Sequence, residues 1–415
     1  MSRANERDDP GRAADAVARR SYGKLVAYLA SRTHDVAAAE DALSDAFALA
    51  LADWPRRGVP ENPEAWLLTV ARRKLIDAAR HGCVGQAADP HLRLLAEESA
   101  AGEPSPIPDH RLALMFACAH PSIETSIRAP LILQALLGFD AATIASAFLV
   151  APSTMGQRIS RAKAKIRDAA IPLRVPEVSE LSPRLEAVLD AIYAAYAESW
   201  TDAAGTDARR RNLADEGLWL ARLLASLLPN APEALGLLAL ILHAEARRPA
   251  RRSPEGAYVP LACQDTALWD RAMIAEAEAL LMRANALNSV GRYQLEAAVQ
   301  SAHAARARNG QTDWCAIERL YDGLLALTDS PVVAINRAIA LAENHGPGVG
   351  LAALDAIADD VRLKEYQPYW AARAHLLVRS GDVASADAAF ERAIGLEADP
   401  AVREFLQRRR QAQRP

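Results

Sequence analysis

Alanine and leucine supply most of the apolar surface of this chain, and β-branched runs are scarce. A half-buried strand favours Val, Ile, Thr and aromatic residues, whereas Ala and Leu lose little on entering a helix. Hydrophobic residues make up 51% of the chain and aromatic ones only 5%, so an all-α fold is expected. The 415 residues are long for a single core, and two to three domains are expected.

The formal net charge of −4 excludes a uniformly basic nucleic-acid coat protein, but the charge is uneven. Arg158, Arg161, Lys163, Lys165, Arg167 and Arg174 face one acid, Asp168, in one segment. In another, Arg72, Arg73, Lys74 and Arg80 accompany Asp77. Two basic helices on an acidic chain imply a focused phosphate-binding surface. Cys83, Cys118, Cys263 and Cys315 are far apart, which fits neither a metal knuckle nor a disulfide framework. No phosphate loop, His-Glu-x-x-His or Gly-x-Ser-x-Gly occurs, so neither a cofactor nor an enzyme activity is expected. Cys118 and His120 read as core and helix-end residues. The start of the chain lacks an apolar signal region, and the most apolar run, 234–242, is too short to span a bilayer. A cytoplasmic protein without a membrane segment is expected.

Residues 142–168 carry the most specific pattern. A short apolar helix is followed by a tight turn and then by a basic amphipathic helix, the order of a helix-turn-helix. From about Pro152, Ser153 and Thr154 are suited to cap the second helix and meet a phosphate. Gln157 and Arg158 suit base edges, and Arg161 and Lys165 suit phosphates one and two turns on. Met155, Ile159, Ala162 and Ile166 form the inward face.

Four blocks are expected: helices over 10–82, a flexible Gly-, Pro- and acid-rich linker over 83–108, a helical block over 109–176, and helix after helix over 182–415. In the first block, Asp35 or Thr33 caps a helix carrying Leu43, Phe47 and Leu51 on one face. A turn is expected over 55–63, with Pro63 opening a helix whose apolar face is Trp66, Leu67, Val70, Leu75 and Ile76. Asp77 is expected to pair with a neighbouring Arg. In the last block, Tyr321 to Pro331 and Phe390 to Pro400 are equal steps set about two tetratricopeptide periods apart, with Leu354 near the intermediate position. Gly381, Ala386, Phe390 and Ala393 fit close helix pairing.

With these segments in place, the chain resembles a bacterial sigma factor of the extracytoplasmic-function class. Ala39-Glu40-Asp41-Ala42 through Phe47 resembles the region-two helix that docks on the polymerase β′ clamp, and Trp66 through Arg80 the helix that opens the minus-ten element. Thr143 to Arg167 resembles the region-four motif that reads the minus-thirty-five element. Met115-Phe116-Ala117-Cys118-Ala119-His120-Pro121 and Thr328-Asp329-Ser330-Pro331-Val332-Val333 are similar to the subgroup with a tetratricopeptide-like C-terminal extension. The resemblance implies two small helical sigma domains, a helical-repeat tail, and core RNA polymerase (β′ clamp and β flap) and promoter DNA as partners. It places Glu40, Asp41, Leu43, Asp45 and Phe47 on polymerase, and Ser153, Thr154, Gln157, Arg158, Arg161 and Lys165 on the minus-thirty-five element. Asn62, Arg72, Arg73, Lys74 and Arg80 would serve the minus-ten element. A regulatory tail that binds a protein or peptide is expected. The competing readings are a stand-alone helix-turn-helix regulator with a repeat sensor, and a tetratricopeptide scaffold that binds only proteins.

Overall fold

The computed structural model describes residues 10–82, 109–148, 150–200 and 208–413; the expected linker, 83–108, lies outside them. Among the described residues the regular elements are helices, apart from an isolated bridge between Arg252 and Tyr258. The chain divides into two compact units, 1–195 and 196–415.

The first unit contains α1 (Pro10–Thr33), α2 (Val36–Arg57), α3 (Pro63–Gly82), α4 (Arg111–Cys118), α5 (Thr125–Leu137), α6 (Ala141–Ala147), α7 (Pro152–Asp168) and most of α8 (Val178–Trp200). Asp35 caps α2 by accepting the Ala38 N–H at 3.0 Å, while the Thr33 hydroxyl closes α1 by donating to Leu29 O at 3.1 Å. Helix α2 runs past Pro55 and stops at Gly58, which adopts φ +86°. The turn thus begins later than expected. A proline in the last, exposed turn forfeits a single backbone bond. Asn62 accepts the Ala65 N–H at 3.1 Å, so Asn-Pro works as cap plus first helical residue of α3.

The two blocks expected as separate modules pack together in this unit. Helix α1 lies against α2 and α3 and also against α4 and α5, and α2 meets α7. The crossing of α1 and α5 is so close that a Cβ at Gly23 would sit 2.0 Å from the Leu136 carbonyl oxygen. Only a residue without a side chain permits this backbone approach.

The second unit contains α9 (Ala208–Leu227), α10 (Pro232–Ala246), α11 (Arg271–Ala286), α12 (Arg292–Ala304), the one-turn α13 (Arg306–Asn309), α14 (Trp314–Leu327), α15 (Pro331–His345), α16 (Pro347–Asp355), α17 (Gln367–Ser380), α18 (Val383–Leu396) and α19 (Pro400–Gln411). Contacts run mostly between near neighbours in the chain. Pro331 and Pro400 each open a helix, so the repeated aromatic-to-proline step marks two helix starts. Phe390, Ala386 and Ala393 form one small core with Leu406, and Leu354 forms another with Tyr369 and Leu376. Glu233 at the start of α10 accepts the N–H groups of Tyr293 and Gln294, at 2.9 and 3.1 Å. It therefore caps α12 from 60 residues away. Gly236, one turn on, lets α10 meet α12: a Cβ there would lie 2.6 Å from Gln294 N.

Candidate nucleic-acid interface

Helix α7 is amphipathic as expected. Met155, Ile159, Ala162 and Ile166 are buried, while Ser153, Gln157, Arg158, Arg161 and Lys165 are exposed and Thr154 is half-buried. The capping expected of Ser153 or Thr154 does not occur. Ala151 holds the cap position without a side-chain bond, and Pro152 starts the helix. Both hydroxyl residues therefore sit in the first turn, beside N–H groups that no side chain of the cap residue satisfies. Arg158 also lines a cleft of about 350 Å³ with Glu186 and Asp190 of α8.

On α3 the basic residues separate. Arg73 and Lys74 are exposed, but Arg72 is 2% exposed. Its guanidinium donates to the Tyr28 hydroxyl at 2.6 Å and lies 5.2 Å from that ring's centre. Arg72 falls on the same helical face as Leu68 and Leu75, both buried, so helical spacing turns it inward and corrects its expected place on DNA. Arg80 lies near the end of α3, and its side chain is outside the described residues. Trp66 is half-buried, edge-on to the buried Trp54 with ring centres 5.5 Å apart. Asn62 is exposed, with one amide oxygen committed to the cap.

Helix α2 presents two different flanks. Leu43 is fully buried and Phe47 half-buried, so the core takes Leu43 from the expected polymerase face. Asp41 and Asp45 remain exposed, next to Leu49 at 44% exposure. Asp45 pairs with Lys74 of α3 at 3.3 Å, across solvent. Glu40 points the other way and accepts a hydrogen bond from the Lys163 ammonium of α7. Both side chains are largely buried. Arg167, one turn on, approaches Asp35 at 3.8 Å. Burial holds the Glu40 carboxyl above the usual carboxylate range, although Lys163 pulls it down. The resemblance placed Glu40 on polymerase, but here it is largely buried against Lys163, 123 residues away, a pairing that no local spacing signals.

Elsewhere, burial pushes the Cys118 thiol up, which makes it a poor nucleophile, and His120 Nδ1 accepts the Ser122 N–H at 3.1 Å. In the second unit His243 is 1% exposed, and burial, aided by Arg247, pulls it down to about 4. Burial likewise takes His303 to about 4, Arg247 to about 10 and Arg251 to about 9. Among the described residues no group of three His, Cys, Asp or Glu is placed to hold a metal, and no helix is long and apolar enough to cross a membrane.

Residues 17–82, which hold α2, α3 and most of α1, match the sigma-70 region 2 family. Residues 184–285 match a family of unknown function (DUF6596). The chain is 37% identical over 382 residues to the uncharacterized protein R00370 of Rhizobium meliloti (strain 1021), an alignment covering 91% of this chain and 89% of that one. No solved structure matches the chain.

Proposed function

The chain belongs to the sigma-70 family, and from this premise we propose that it is an alternative sigma subunit of the extracytoplasmic-function class with a helical-repeat tail. It binds core RNA polymerase in the cytoplasm and directs it to promoters. It performs no chemistry itself. Helix α7 enters the major groove of the minus-thirty-five element as the second helix of a helix-turn-helix. Gln157 and Arg158 meet base edges, Arg161 and Lys165 meet phosphates, and Ser153 and Thr154 meet a phosphate at the helix start. Helix α3 holds the opened minus-ten strand through Arg73, Lys74 and Arg80, with Asn62 at its entrance. Arg72 supports this helix from inside. Polymerase docks on the exposed flank of α2, through Asp41 and Asp45 beside Leu49. The second unit modulates this activity by holding a protein or peptide segment.

The observation that carries the reading is the division of α7. Four apolar residues are buried along one side, and Gln157, Arg158, Arg161 and Lys165 stand free of the core on the other. A helix built merely to fill the unit has no need of a cationic row at this spacing.

The test is retention of purified core polymerase by the full chain. Wild type retains polymerase, and Asp41→Lys with Asp45→Lys lowers affinity at least tenfold while leaving the circular dichroism spectrum unchanged. Failure of the wild type to retain polymerase would remove the sigma reading.

A further inference from the structure

Guanidiniums gather in the second unit where α10 ends. Arg247, Arg248, Arg251 and Arg252 follow one another through the turn after this helix, and the field of Arg306 on α13 reaches Arg247. Arg247 and Arg251 are 6% and 5% exposed, and the Arg252 side chain 10%. We infer that this cluster is a binding site for a small oxyanion of the phosphate class, either inorganic phosphate or the phosphate group of a small molecule. This inference goes beyond the sigma reading and does not depend on it.

The charges in the cluster do not balance. Glu245 accepts from Arg248 at 2.7 and 2.6 Å and from the Tyr196 hydroxyl at 2.6 Å. Asp399, the cap of α19, accepts from Arg252. Arg247 donates instead to neutral acceptors, the His243 carbonyl at 3.2 Å and the Gln300 amide oxygen. Arg306 does the same, donating to the carbonyls of Ala262 and Gln264 at 2.8 and 3.1 Å while lying over the Trp269 ring. Nε and Nη1 of Arg252 are buried and meet no acceptor among the described residues. The cluster therefore holds a positive excess and spare donors away from water.

A buried cation is costly unless a counter-charge joins it. Burial lowers Arg247 and Arg251, and Arg247 and Arg248 repel Arg251 further. At about 10 and about 9, both stay protonated at neutral pH, so the charge is present when a ligand arrives. The carbonyls at the end of α10 attract cations, and Arg247 uses one of them. That attraction fades within a turn, so it does not account for Arg251 and Arg252, which lie beyond the helix. A phosphate does account for them: guanidinium forks match its oxygens, and its double charge suits the excess better than the single charge of a carboxylate. Tyr258 lies 5.9 Å from the Arg252 guanidinium and edge-on to Phe405 of α19, with ring centres 5.3 Å apart. A ligand here thus ties the turn after α10 to the last helix, 147 residues on.

The test is calorimetric titration of the full chain with inorganic phosphate, together with its unfolding midpoint, in the absence of polymerase. Wild type should bind a single phosphate and unfold at a higher temperature when phosphate is present. Arg251→Met should weaken binding at least about tenfold. Without phosphate this variant should unfold no earlier than wild type, because it removes a buried charge. Arg251→Lys keeps the charge but loses the fork, so it should bind with intermediate affinity and keep the fold. Phenyl phosphate binding as tightly as phosphate marks a site open to esters, and binding of phosphate alone marks the free ion; either result supports the site. Absence of binding by wild type at up to about 10 mM phosphate overturns it. So does an equal rise in midpoint for wild type and Arg251→Met, which would reflect exclusion of the salt from the protein surface. Tighter binding of a hexaglutamate peptide than of phosphate overturns the small-oxyanion assignment as well.

Discussion

The two units solve the same packing problem with different materials. In the first, helices far apart in the chain meet: α1 touches α4 and α5, and α2 reaches α7. The meeting of α2 with α7 uses a charged pair, Lys163 on Glu40, and that of α1 with α5 a close backbone crossing at Gly23. In the second, helices pack mainly on near neighbours, and alanine-rich cores follow one another along the chain. Local contacts cost little loop entropy. The difference separates a unit joined by contacts distant in the chain from one joined mainly by near neighbours.

Acid should break this comparison most strongly. His243 protonates near 6.5 when unfolded but only near 4 when folded, so the unfolded state takes up the proton first as pH falls. Stability is therefore present above pH 6.5 and is lost between 6.5 and 4, by roughly 3 kcal/mol for this one group. His303 adds a loss of the same sign. In the first unit Glu40 contributes with the opposite sign, because its folded carboxyl protonates first. His110 and His120 shift in the same direction as His243, but both are partly exposed and weaker. Hydrogen exchange resolved by peptide should show α10 and α12 losing protection across this window before α1 and α5 do.

Crowding the two close crossings comes next. Gly23→Val forces α1 away from the Leu136 backbone, and Gly236→Val forces α10 away from Gln294. Each should cost about 3 kcal/mol. Calorimetry with peptide-resolved exchange should assign each loss to its own unit. Loss of protection in both units from either variant would contradict the division.

Arg158→Ala tests the working surface rather than the packing. It should weaken binding of the polymerase complex to a minus-thirty-five duplex by about 1–3 kcal/mol and relax base preference at one position. Quantitative footprinting across single-base variants would show this. Glu233→Ala should cost about 1–2 kcal/mol through the lost cap of α12, seen as a lower midpoint in urea. The smallest effect belongs to Asp45→Asn, whose pair with Lys74 is exposed at both ends. It should alter stability by less than about 1 kcal/mol.

Helices and their starts were legible in the sequence because they depend on neighbours. Pro63 begins a helix as read, and the inward face of α7 follows from spacing alone. The basic face of α7 was equally readable. Arg72 was not, since a charged residue at an apolar position looks like its exposed neighbours Arg73 and Lys74 until Tyr28 is seen to receive it. The cap from Glu233 to α12 and the Glu40–Lys163 pair join residues 60 and 123 positions apart, and no local pattern signals either. Ser153 and Thr154 misled for a local reason: Pro152 is well suited to the first helical position and pushes the cap back to Ala151.

The central claim is that this chain gives core polymerase a promoter choice it otherwise lacks. Transcript starts mapped on genomic DNA, with core polymerase alone and with the full chain added, test it most directly. New starts sharing one pair of upstream elements, and fewer of them with Arg158→Ala, are the predicted result. An identical set of starts with and without the chain would contradict it.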